Sequence, residues 1–330
     1  MADTIRIAVI DDWQGVAQTS ADWSALKKRA DITFTRRNFT DEDEAAKALA
    51  DYDIILPLRE RTKFAASLIN RLPRLKMMAL TGFRSNNVDI DACTARGVLC
   101  SNTGAHGPEA AAEMALALML ASTRRVAQGD AAMRRGEFQE NVGLGLTLSG
   151  RTLGIIGLGR IGAQMARYGN ALGMRVLAWS QNLTEEKAQA ADATRVEKSE
   201  LMKDSDAITL HLVLSARSRG IIGAADIAQM KRGALLINTS RGPLVEENAL
   251  IEALNARRIH AALDVYDEEP LPADHPLRKA PNTVLTPHLG FTTEEGFDGF
   301  YRHSVENILA FLDGKPLRVS NPEVLRRLNS

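Results

Sequence analysis

The chain predicts an α/β fold built on two doubly wound parallel sheets. Three observations carry that expectation. Short β-branched runs alternate with helix-length amphipathic segments from one end to the other. The length, 330 residues, exceeds what one hydrophobic core usually serves, so two domains follow. The second half opens on a glycine-rich turn set between an apolar run and a helix-competent one.

In the first third, residues 5–10, 32–35, 53–56, 76–81 and 98–101 read as strands, with helical patterns between most of them. Residues 109–125 read as one long helix, so rich in Ala, Leu and Met that most of its circumference must be covered. Such a helix suits a domain crossover or a subunit interface. After glycines at 143, 145 and 150, six further strands are expected at 152–156, 175–180, 207–212, 234–239, 260–265 and 283–286. Six is the number a full dinucleotide-binding sheet uses. A last amphipathic helix is expected over 294–312, with Gly314 where a helix C-terminus favours glycine. The organisation is therefore discontinuous: 1–103 and 291–330 form one domain, 104–290 the nucleotide domain. The active site is expected in the cleft between them, at the carboxyl ends of the strands.

Composition excludes several classes. Forty-one basic residues balance 41 acidic ones, which leaves no global pull toward nucleic acid or an anionic membrane. The longest apolar stretch, 110–121, is interrupted by Glu113 and is far shorter than the roughly 20 residues needed to span a bilayer. The N-terminus runs directly into a strand without the pattern of an export signal, so a cytoplasmic location is expected. Cys93 and Cys100 match neither a redox CxxC pair nor a zinc-binding set, and no metal site is expected.

The stretch TLGIIGLGRIGAQMARYGNALG places Gly157, Gly159 and Gly162 in the spacing GxGxxG, directly after the apolar run and at the start of a helix. Gly157 suits the tight turn, Gly159 the approach of a pyrophosphate, and Gly162 close packing of helix on sheet. Arg160 and Ile161 lie between them, on the helix N-terminus where the phosphates would rest. At the end of the next strand an NAD-specific protein normally carries Asp or Glu for the adenosine ribose. Here Ser180, Gln181 and Asn182 stand instead. The missing carboxylate no longer repels a ribose 2′-phosphate, yet no arginine stands beside it to hold one. NAD and NADP therefore both stay open, and relaxed use of the two is the expectation; Ser180 and Gln181 also fit a plain turn.

Hydride addition to a 2-oxo acid leaves negative charge on the former carbonyl oxygen, so a site for it needs a proton donor, a cation for the carboxylate and a group that tunes the donor. Three strand ends offer these. Arg241, in INTSRGPLV, precedes a Gly-Pro turn and can grip a carboxylate through two parallel hydrogen bonds, though a surface ion pair fits the same spacing. ALDVYDEEPLP carries Asp264, Asp267, Glu268 and Glu269, which read equally as a solvated loop. His288, in TVLTPHLG beside Gly290, is the natural proton donor near neutral pH, and a lone histidine is also commonly structural.

GLGRIG, INTSRGPLV, ALDVYDEEPLP and LTPHLG in this order resemble the D-2-hydroxyacid dehydrogenase family over nearly the full length. The resemblance implies a Rossmann nicotinamide-binding domain inserted in a flavodoxin-like substrate domain. It implies Arg241 as the catalytic arginine, Glu269 as the partner of the histidine, and His288 as the general acid and base. Asp264 then falls beside the nicotinamide, Thr239 and Ser240 contact the cofactor, and Arg241, His288 and Gly290 line the same site. Phe83 and Arg84, in TGFRSNNVDIDA, fall where the family often has a small residue and glycine in its substrate loop. This departure suggests a narrower or more cationic pocket, with Arg84 suited to a substrate bearing a second anionic group. The implied partners are a small 2-oxo or 2-hydroxy acid and a second copy of the chain as a homodimer. Two other readings keep every motif: a nicotinamide-sensing corepressor that binds proteins, and a dehydrogenase of formate or phosphite.

Overall fold

In the computed structural model the described residues are 4–59, 61–83, 87–104 and 107–328. The chain divides into two compact units, Met1–His106 with Thr293–Ser330, and Gly107–Thr292.

The first unit holds a five-stranded sheet of β1 (Ile5–Ile10), β2 (Ala30–Phe34), β3 (Ile54–Pro57), β4 (Met77–Leu80) and β5 (Leu99–Asn102), in the order β2-β1-β3-β4-β5. Every pairing in it is parallel, and the order is that of flavodoxin-like sheets. β3 and β4 are buried at every residue, as strands covered on both faces must be. The helix Glu294–Leu312 has the bounds expected from its periodicity; it buries Phe297, Phe300, Tyr301 and Ile308 and ends before Gly314 at φ 70°. The following segment runs antiparallel along the β5 edge, with Ser320 N–H donating to Cys100 O and Asn102 N–H to Arg318 O. Covering that edge removes an open template for strand addition. Cys93 and Cys100 are free thiols buried in this core.

The second unit holds seven strands, one more than expected: β6 (Thr152–Ile156), β7 (Arg175–Trp179), β8 (Thr194–Arg195), β9 (Ala207–Leu210), β10 (Leu235–Asn238), β11 (His260–Leu263) and β12 (Thr283–Leu285). The additional one is β8, a two-residue edge strand too short to show an alternation. The order β12-β11-β10-β9-β6-β7-β8, parallel throughout, reverses at β6, where the glycine-rich turn leaves the sheet. That reversal point is where doubly wound sheets bind ligands.

The expected helix over 109–125 ends two residues early. Glu109–Thr123 is followed by Arg125 at φ 58°, a left-handed residue that turns the chain into a second helix, Val126–Arg134. Ala112, Ala115, Leu118 and Met119 of the first helix are buried in this unit's own core, against Leu153, Ile155, Met165 and Ile237. The Ala-rich face is explained by packing on its own sheet. Among the described residues no helix is long and apolar enough to cross a membrane.

Candidate active site

The turn after β6 has the shape a dinucleotide requires. Gly157 sits at φ 101°, and a Cβ there would lie 2.6 Å from His211 O. A Cβ on Gly162 would run into the Gly157 carbonyl oxygen, so the helix Arg160–Ala171 can approach the turn only without one. Gly159 caps that helix with no side chain, and the space beside its Cα is open. The first-turn amides and the helix dipole therefore face a site that an anion can enter. Burial pushes the His211 imidazole down to about 3, so it stays neutral, with Nε2 2.9 Å from Thr209 Oγ1. His211 Nδ1 and Thr239 Oγ1 are buried and without hydrogen-bond partners among the described residues. Two orphaned polar atoms at the carboxyl ends of β9 and β10 fit a polar ligand that supplies their bonds.

The carboxyl ends of β10, β11 and β12 carry the other expected residues. After β10, Ser240 Oγ donates to Leu210 O at 2.7 Å and Ser240 N–H to Asn238 Oδ1, while Asn238 Nδ2 donates to Arg241 O. These bonds fix the backbone of Arg241 in an extended conformation, and its Nη1 donates to Ser240 O at 2.7 Å. After β11, Asp264 is fully buried. Its Oδ1 accepts from Thr286 Oγ1 (2.6 Å) and Leu289 N–H (2.7 Å), and its Oδ2 from Gly290 N–H (2.8 Å). Burial nevertheless raises this carboxyl above its ordinary range.

Those bonds bracket His288, which lies at φ 55° in the left-handed region that a side chain enters at a cost. Asp264 holds the two following amides and so maintains that conformation. The ring then meets Glu269: Nδ1 and Oε2 are 2.5 Å apart, and both side chains are about four-fifths buried. Glu269 Oε1 accepts the Tyr266 amide at 2.9 Å. Phe291 packs edge-on against the imidazole, centroids 5.5 Å apart. An imidazole with one nitrogen bonded to a carboxylate presents the other for proton exchange.

The description D-isomer specific 2-hydroxyacid dehydrogenase, NAD binding domain, matches residues 116–290. The chain belongs to this family. It is 38% identical over 256 residues to the D-3-phosphoglycerate dehydrogenase of Methanocaldococcus jannaschii, covering 77% of this chain and 48% of that protein. The chain thus spans about half the length of that relative. The glyoxylate reductase of Thermococcus litoralis is 38% identical over 272 residues, 80% of this chain and 82% of that one. Among solved structures, phosphoglycerate oxidoreductase from Vibrio cholerae superposes with a TM-score of 0.89 at 34% identity, covering 94% of this chain and 99% of that one.

In a 2-hydroxyacid dehydrogenase of this kind the cofactor is NAD or NADP, and the glycine turn, the uncapped helix and the orphaned Thr239 hydroxyl fit that group. Ser180 and Gln181 follow β7 in a turn closed by Leu183 N–H to Ser180 O. Phe83 is well exposed at 59%, and Arg84 lies outside the described residues. Glu269 and His288 are brought together, as are Asp264 and Gly290. Three residues with a part in this arrangement were not singled out from sequence: Asn238, Tyr266 and Thr286. Asn238 ends β10 and Thr286 directly follows β12, each near named residues, a position that could have flagged them.

Proposed function

We propose that this chain is a nicotinamide-dependent oxidoreductase of small D-2-hydroxy acids and the matching 2-oxo acids. The observation that carries the reading is the bond between His288 Nδ1 and Glu269 Oε2, at the strand ends of a family dinucleotide sheet.

The nicotinamide, when bound, supplies the hydride in reduction and accepts it in oxidation. Glu269 holds the His288 ring in orientation through Nδ1, which leaves Nε2–H to give a proton to the former carbonyl oxygen. In oxidation the neutral Nε2 takes that proton back. Arg241, its backbone set by Asn238 and Ser240, binds the substrate carboxylate and polarises the carbonyl. Thr239, Ser240, Asp264, Gly290 and the 157–162 turn with Arg160 and Ile161 hold the cofactor; Ser180 and Gln181, with no acid beside them, admit either nicotinamide. Phe83 and Arg84 are assigned to the substrate on the family resemblance alone, as is a homodimeric assembly, and a cytoplasmic location is proposed from the composition.

A panel of 2-oxo acids including glyoxylate and hydroxypyruvate, assayed with each reduced nicotinamide by absorbance, tests the reading. Turnover in the parent, lowered roughly 10²-fold or more by His288→Ala with nicotinamide binding kept, is the expected result. No turnover with any acid, or an undiminished His288→Ala enzyme, overturns it. Sedimentation of the purified chain tests the dimer, and Michaelis constants differing more than about a hundredfold between the two cofactors would remove the relaxed preference.

A further inference from the structure

Tyr266 is bonded to two segments of the site at once. Its amide donates to Glu269 Oε1 at 2.9 Å, the oxygen not engaged by His288. Its hydroxyl crosses to the other loop and donates to Thr286 O at 2.9 Å, two residues before His288. A third segment leans on its backbone: a Cβ on Gly242 would collide with the Tyr266 carbonyl, so the turn carrying Arg241 packs flush against this residue. Arg241, Glu269 and His288 stand on three loops, and Tyr266 touches all three.

We propose that Tyr266 is a positioning residue that sets the Glu269 carboxylate and the His288 ring in register with each other. The proposal rests on the acid–base role given above to that pair. A carboxylate and an imidazole on separate loops keep a short bond only while the loops keep their spacing. Asp264 bonds the amides of Leu289 and Gly290 and the hydroxyl of Thr286, and Tyr266 bonds the carbonyl of Thr286. The two amides lie beyond His288 in the chain and both Thr286 bonds lie before it, so the histidine is held from both sides, with Tyr266 reaching across from the segment that carries Glu269. Tyr266 is 8% exposed, and burial among Asp264 and Glu269, with Arg278 opposing, raises its hydroxyl well above the ordinary range. The hydroxyl therefore stays a donor at every pH where the enzyme would work.

Tyr266→Phe removes the hydroxyl and keeps the ring that fills the core, so the variant retains its packing. Turnover in the reductive direction should drop roughly three- to tenfold. The pH profile of that turnover should also change, because the segment before His288 is no longer tied to the one that carries Glu269. The Michaelis constant for the reduced nicotinamide should stay within about twofold of the parent. An unchanged pH profile overturns the proposal, whether turnover is unaltered or the variant merely melts at a lower temperature, since a structural role alone would do no more. His288→Ala is assayed beside it. If that variant is inactive while Tyr266→Phe matches the parent, positioning by Tyr266 fails and the acid–base reading stands. If His288→Ala is fully active, both fall.

Discussion

His288 Nδ1 lies 2.5 Å from Glu269 Oε2, and the second oxygen of the same carboxylate accepts the Tyr266 amide. Both oxygens thereby hold a partner, which opposes rotation of the carboxylate away from the ring. Glu269→Gln keeps the size of the side chain and removes its charge. The ring then loses the charged acceptor at Nδ1, so the pH profile of the reductive reaction should change and turnover near neutrality should decrease by roughly 10- to 10²-fold. Initial rates measured between about pH 5 and about pH 9 check this; a profile that superposes on the parent's would detach Glu269 from the proton transfer.

Arg241, proposed to bind the substrate carboxylate, has its backbone pinned by Asn238 Nδ2 and by the 2.7 Å bond between Ser240 Oγ and Leu210 O. Arg241→Lys preserves the charge but not the pair of parallel donors. The Michaelis constant for the 2-oxo acid should rise about tenfold or more, and turnover should fall with it, while the dissociation constant of the reduced nicotinamide measured by fluorescence stays near that of the parent. Equal kinetics in the lysine variant would mean that the site needs a cation and no particular geometry.

Gly162 tests the cradle separately from the chemistry. Adding a methyl group at this position drives it into the Gly157 carbonyl, and the helix Arg160–Ala171 has to lift from the turn. Gly162→Ala should weaken nicotinamide binding by about tenfold or more and lower the melting temperature. Unaltered cofactor affinity in a folded variant would show that the pyrophosphate does not rest on this helix.

Much of this architecture was legible in the chain because the physics that makes it is local. β1 and the helix Glu294–Leu312 have the expected bounds, since an unbroken apolar run and a 3.6-residue period with Gly314 behind it each leave few alternatives. β8 was missed because two residues carry no period. The turn at Arg125 was missed because nothing in STRRVAQG marks a left-handed residue: it holds neither Asn nor Pro, and its one glycine lies four residues further on, inside the second helix. In the candidate site, residue types could be read but partners could not. Glu269 and His288 are 19 positions apart on different loops, and their pairing was expected only through the family resemblance. Tyr266 escaped because its hydroxyl bonds to a backbone carbonyl 20 residues away, and a carbonyl has no residue type to recognise.

Asp11 gives the first unit a pH dependence of its own. Its side chain is fully buried at φ 67°, with Oδ1 accepting from Thr62 Oγ1 at 2.6 Å and Oδ2 from Thr62 N–H at 3.2 Å, and the Arg61 guanidinium bonds its carbonyl. Burial outweighs those bonds and pushes the carboxyl from 3.8 up to about 6. A folded-state value above the unfolded one means that the native state binds the proton more tightly. Asp11 therefore contributes stability below about pH 4 that is lost as pH rises through about 6, a change of at most about 3 kcal/mol. Asp11→Asn holds the protonated shape at every pH, so its stability should lack this component of the decline. Trp13 and Trp23 belong to the same unit and report its unfolding in a Trp179→Phe background. Urea denaturation at about pH 4.5 and about pH 7 should show the parent losing more stability across the interval than Asp11→Asn does. The same loss in both proteins would place the proton elsewhere and leave Asp11 ionised in the fold, its cost of burial already met by Thr62 and Arg61.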